Sequence, residues 1–201
     1  MIRAMSILTI AGLASTSFGQ NYILRLEGGP QEIDTTTGSV TFTIDVIGDA
    51  EAGLGTHMLW GSLALESSGS SLIQNISWVH ADWSEYNIDG GYAGNGVYNH
   101  IEFGQWETTN WTPRVGSELG ERIGSFQISL AQGDDVSGML DFNLLATSSF
   151  GLSTIDIDTG ASYYSSPESL VFEGFSIQLV PAPGSALVLM GSILLCTKRR
   201  R

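Results

Sequence analysis

Cysteine is almost missing from this 201-residue chain: Cys196 is the only one, and it lies in an apolar stretch near the end. That count excludes a disulfide framework and a thiolate metal centre. Basic residues are scarce where they would matter most. Arg3 stands near the start and Lys198, Arg199, Arg200 and Arg201 close the chain, which leaves Arg25, Arg114 and Arg122 between them. All 21 acidic residues fall in that middle portion, which carries a net charge of −18. Such a surface repels phosphate backbones and excludes nucleic acid as a partner. It favours solubility and can hold divalent cations loosely.

Histidine is equally sparse. His57, His80 and His100 include no short ligand pair, so no metal site is expected from them. No Gly-x-Ser-x-Gly, His-Glu-x-x-His or phosphate loop occurs. His100 beside Glu102 reads either as an acid–base pair or as one face of a strand. No segment carries a convincing helical stripe. The expectation is a protein that is not an enzyme.

Both ends read as address labels. Residues 1–19 form a secretory signal: Arg3 supplies the positive start, Ser6 to Ala14 a short apolar core, and Ser17 and Gly19 the small residues before a cut between Gly19 and Gln20. The apolar run is too short for a permanent span. Export through the Sec translocon follows as the expectation.

At the other end, Pro181, Ala182, Pro183 and Gly184 form a stiff joint that neither continues a strand nor opens a helix cleanly. Ala186 to Cys196 is apolar almost throughout. As a helix it is about 20 Å long at ~1.5 Å per residue, short of a ~30 Å hydrocarbon core. Lys198 to Arg201 would stay cytoplasmic and leave the acidic portion outside. A weak span with a basic stop suits a temporary anchor.

Pro181, Pro183, Gly184, the short apolar helix and the basic end together resemble the PEP-CTERM sorting signal of Gram-negative bacteria, with Ala182 where the consensus has Glu. The Pro-Ala-Pro-Gly form is similar to planctomycete-like members. The resemblance covers about 22 residues. It implies an exosortase-type sorting enzyme as partner, transient anchoring in the inner membrane, release to the cell surface, and association with exopolysaccharide or biofilm.

Between the labels, residues 20–180 make about 160 residues, enough for one core. Val40, Phe42, Ile44 and Val46 alternate with polar residues, as do Phe126, Ile128 and Leu130, then Leu140, Phe142 and Leu144, then Phe175, Ile177 and Leu179. This is the period of half-buried strands. Further strands are expected at 22–27, 56–66, 72–80, 97–103 and 152–157. Turns are expected at 28–30, 48–50, 67–71, 89–91 and 132–135. About nine short strands predict an all-β, single antiparallel β-sandwich, of jelly-roll or cohesin/carbohydrate-binding type. The strand rhythm is loosely similar to cohesin-like and carbohydrate-binding sandwiches, as fold analogy only.

Aromatics crowd residues 78–111, which hold eight of the nineteen. Trp83, Tyr86, Tyr92, Trp106 and Trp111 are candidate glycan-stacking residues; the competing reading packs them against a sheet. Asp156, Asp158 and Gly160 look like half a calcium loop or a solvated turn, and calcium is the one cofactor they bring into question. The leading function is an exported structural or adhesive protein of the extracellular matrix. A carbohydrate-binding module is the alternative, and a secreted β-sandwich hydrolase the third reading.

Overall fold

The structure is a computed structural model and describes residues 21–36, 38–106, 112–133, 137–147 and 151–180. The signal segment with its Gly19–Gln20 cut and the sorting tail from Pro181 to Arg201 lie outside the described residues. No helix among the described residues is long and apolar enough to cross a membrane.

Fourteen strands account for the described fold. They are β1 Tyr22–Glu27, β2 Glu32–Ile33, β3 Val40–Ala50, β4 His57–Ser67, β5 Ile73–His80, β6 Tyr86–Asp89, β7 Tyr92–Gly94, β8 Val97–Gly104, β9 Arg122–Leu130, β10 Gly138–Leu145, β11 Leu152–Ile155, β12 Ser162–Tyr164, β13 Leu170–Glu173 and β14 Phe175–Leu179. They form two sheets. The smaller runs β13-β1-β3-β9-β5. The larger runs β12-β11-β4-β10-β14-β2, with β8 on the other edge of β4 and β6 and β7 outside β8.

The alternating segments behave as their period requires. Ile44 and Val46 of β3, Phe126, Ile128 and Leu130 of β9, and Leu140, Phe142 and Leu144 of β10 all point into the space between the sheets. Leu63 and Leu65 of β4 and Ile101 and Phe103 of β8 close it from the other side. Rings bridge the layers: Phe42 meets Phe142 edge-on at 6.1 Å, and Tyr98 meets Phe126 at 5.5 Å.

Three expectations need correction. The ladders are not all antiparallel: β1 runs parallel to β13, and β14 parallel to β2. The turn expected at residues 48–50 is the end of β3. Gly48 is there for packing, since a β-carbon would fall 2.5 Å from Met58 Sδ and 2.7 Å from Ile123 Cδ1. Fourteen strands replace nine, because β2, β6, β7, β12 and β13 have only two to four residues each.

The β7–β8 hairpin places the edge of the large sheet. Its two turn residues, Asn95 (φ 53°) and Gly96 (φ 76°), both adopt the left-handed region, as a tight primed turn demands. β6 and β7 are successive parts of one edge, both paired to β8 and separated at Gly90 and Gly91. This edge carries Tyr86 onto the outer face of the large sheet.

Candidate functional site

The site is an aromatic groove on that outer face, about 300 Å³ in volume and lined by Trp60, Tyr86, Gly104, Gln105 and Trp106. Strand register explains its composition. Tyr86 of β6 pairs with Gly104 of β8, and Gly104 pairs with Trp60 of β4. Directly paired residues share a face, so the two rings flank a position with no side chain. A β-carbon at Gly104 would lie 2.7 Å from Trp60 Cδ1, so glycine keeps the floor open.

Trp106 follows β8 and is 63% exposed. Its ring lies 5.3 Å from that of Tyr86 at 73°, so the pair makes a corner rather than a flat shelf. The segment is held from below by Gln105, which is buried. Gln105 Nε2 donates to the Met58 carbonyl at 2.6 Å, and its Oε1 accepts from the Arg114 amide at 2.9 Å. Arg114 in turn pairs with Glu85.

Polar groups line one side. The Tyr86 hydroxyl donates to Glu102 Oε2 at 3.1 Å, and His100 Nε2 lies 2.7 Å from Glu102 Oε1. The hydrogen bond to Glu102 pushes the Tyr86 phenol above its ordinary value of 10. Glu102 therefore steadies a ring at the groove and presents a carboxylate beside it. His100 and Glu102 share one side chain contact on one strand, with Tyr86 as the third member. The arrangement offers ring faces, an amide and a carboxylate, which suit binding of a hydroxyl-rich ligand.

The candidate residues separate cleanly. Tyr86 and Trp106 come together in the groove. Trp83 does not: it is 3% exposed, its indole N–H donates to the Arg122 carbonyl at 2.9 Å, and it meets Phe103 edge-on at 6.2 Å. The expectation that it faces a glycan is corrected to a packing role. Tyr92 turns towards the core, with its hydroxyl donating to the Ile73 carbonyl and accepting from the Gly96 amide, both at 3.1 Å. It closes the gap between β7 and β5 and does not reach the groove. Trp111 lies outside the described residues. Trp60 is the residue that sequence reasoning missed. It falls outside the aromatic-rich window, yet it sits on the phase of β4 that otherwise carries Ser62 and Glu66.

At the acidic turn, Asp156 Oδ1 accepts from the amides of Asp158 and Thr159, both at 3.0 Å. The Thr159 amide is the main cause of a carboxyl held below its ordinary 3.8. Asp156 thus shapes the β11–β12 turn. Among the described residues no group of three or more His, Cys, Asp or Glu side chains is gathered as a metal would need.

No family model matches the chain, and no curated protein sequence does. Among solved structures it is similar to the seventh ScaB type I cohesin of Pseudobacteroides cellulosolvens, with a TM-score of 0.50, 11% identity, and coverage of 81% of this chain and 94% of that one. The third cohesin ScaC of Acetivibrio cellulolyticus, solved in complex with the ScaB dockerin, gives 0.49 at 10% identity over 79% and 99%. The non-cellulosomal cohesin of Archaeoglobus fulgidus gives 0.44 at 9% identity over 83% and 96%. The first of these likenesses defines the class of the fold: a cohesin-like β-sandwich.

Proposed function

We propose that this chain is an exported, non-catalytic adhesive module that holds glycan of the extracellular matrix through the aromatic groove of its large sheet. The observation that carries the reading is Trp106, a large ring 63% exposed at the corner with Tyr86, beside Trp60 and above the bare floor at Gly104. An exposed ring of that size, held in place by a buried amide, is placed for contact with a ligand rather than for folding. The net charge of −18 over the middle portion disfavours anionic partners.

The ends complete the reading. The signal segment directs the chain out of the cytoplasm. The PEP-CTERM-like tail holds it in the inner membrane until an exosortase-type enzyme cuts near Pro181 to Gly184. The released domain then stays at the cell surface among exopolysaccharide.

Retention on matrix polysaccharide from the producing cells tests the binding role. Trp106→Ala is expected to lose retention while melting like the parent; equal retention by both proteins removes the groove from the account. Intact-mass measurement of the mature protein tests the sorting role. It should give a chain that begins at Gln20 and ends near Gly184, and a mass that includes Lys198 to Arg201 overturns the sorting step.

A further inference from the structure

The groove is one end of a longer row. Tyr86 pairs with Gly104, Gly104 with Trp60, Trp60 with Ser153 of β11, and Ser153 with Tyr164 of β12. Each pairing is direct, so all five residues lie on the outer face in one line across β6, β8, β4, β11 and β12. The next residue of β12 confirms the phase: Tyr163 packs against the core, while Tyr164 is 63% exposed.

The row alternates large and small. Aromatic residues stand at Tyr86, Trp60 and Tyr164, two strands apart, with Gly104 and Ser153 between them. Strands in a sheet are about 4.8 Å apart, so the row spans about 19 Å and its aromatic positions recur every ~9.6 Å. A fully extended chain of β-1,4-linked hexoses advances by close to one strand spacing per ring, and each ring is flipped relative to the last. The same ring face therefore recurs every second sugar, in step with the aromatic positions, and the intervening rings meet only glycine or serine. The next outward row, Ile88, Glu102 and Ser62, lies alongside and brings a carboxylate and a hydroxyl to one side.

Resting on the binding role proposed above, we infer that the ligand is an uncharged, extended β-1,4-linked hexose chain lying across the strands along Tyr86, Trp60 and Tyr164. Glu102 beside the row and the acidity of the domain select against uronate chains. An α-linked chain coils away from a straight row and would meet one aromatic position at a time.

Calorimetry with cellohexaose, cellotriose, maltohexaose and an oligogalacturonate tests the inference. The parent should bind cellohexaose more tightly than cellotriose, and both more tightly than the α-linked or anionic oligomers. Covering one face of a tyrosine ring removes roughly a third of its ~150–250 Å² from water. Tyr164→Ala should therefore weaken cellohexaose about tenfold and reduce the hexaose-to-triose preference by the same factor. Tyr164 is at the exposed end of the sheet, so the variant should fold; Val115→Ala, remote from the row, should change neither affinity. If Trp106→Ala abolishes binding but Tyr164→Ala leaves cellohexaose untouched, the groove stands and the row falls. Maltohexaose or the galacturonate binding as well as cellohexaose also overturns it. Failure of every saccharide to bind the parent removes both the row and the glycan reading.

Discussion

Trp83 and Trp106 are 23 residues apart, and the structure gives them opposite duties, which single substitutions will separate. Trp83 is 3% exposed, packs on Phe103 and donates to the Arg122 carbonyl. Truncating a buried tryptophan costs about 3–5 kcal/mol, and the lost hydrogen bond adds about 1 kcal/mol. The total of about 4–6 kcal/mol is a large share of the 5–15 kcal/mol that holds a typical domain. For a chain of this size it lowers the melting temperature by roughly 10–20 °C. Trp83→Phe keeps an aromatic ring near Phe103 and loses chiefly the N–H, so its cost is about 1–2 kcal/mol. Trp106→Ala removes a ring that few atoms surround and should stay within about 0.5 kcal/mol of the parent. Calorimetric melts and urea unfolding of the three variants measure the series. A Trp83→Ala melt within ~2 °C of the parent, or a Trp106→Ala loss of similar size to Trp83→Ala, refutes the division.

Three further outcomes follow from the same contacts. A β-carbon at Gly61 meets the Gly151 carbonyl oxygen and the Phe103 ring, so Gly61→Ala should cost about 1–3 kcal/mol in urea unfolding, whereas Gly120→Ala tests backbone strain alone because nothing lies near that position. Tyr98 is buried and donates to Asp89 Oδ1 at 2.6 Å; burial, then that bond, pushes its phenol far above the ordinary 10. The stabilisation tied to its neutral form is complete below pH 10 and drains as pH climbs beyond it, so Tyr98→Phe should lose about 1–2 kcal/mol at pH 7 yet show a shallower alkaline limb. Asp156 has a lowered carboxyl, so its contribution is present above 3.8 and is lost as pH falls below it; Asp156→Ala should lower the melting temperature at pH 7, while Asp156→Asn should retain most of it and lose the acid dependence.

Strands with a full period were legible. The alternations in β3, β9, β10 and β14 each placed the buried face correctly, because a half-covered sheet leaves no other phase for Ile44, Phe126, Phe142 or Ile177. The shortest strands were not, since two residues at Glu32–Ile33 or three at Ser162–Tyr164 carry no measurable period. The parallel pairings of β1 and β14 join segments far apart in sequence and leave no local mark. Gly48 misled because glycine signals both a turn and a close approach, and only Met58 and Ile123 decide between them. Within the site, aromatic crowding pointed to Tyr86 and Trp106 but not to the side each ring takes. Trp83 went inward to Arg122, and Tyr92 to Ile73. Trp60 and Tyr164 belong to the row through register alone. Their signal was the alternation itself: Trp60 shares a phase with Ser62 and Glu66, where a large ring is out of place unless it has a use.

The last hydrogen bond before the tail, from the Val180 amide to the Ile33 carbonyl, ends a strand that is gripped along both edges, by β10 on one side and β2 on the other. A tug on the chain beyond Val180 is directed along β14 and loads both ladders lengthwise. Their bonds must then yield together instead of peeling open one by one. A protein fastened to a cell through that end would resist flow and shear as a rivet does, and its lifetime under tension would be set by the rate of rupture rather than by equilibrium stability.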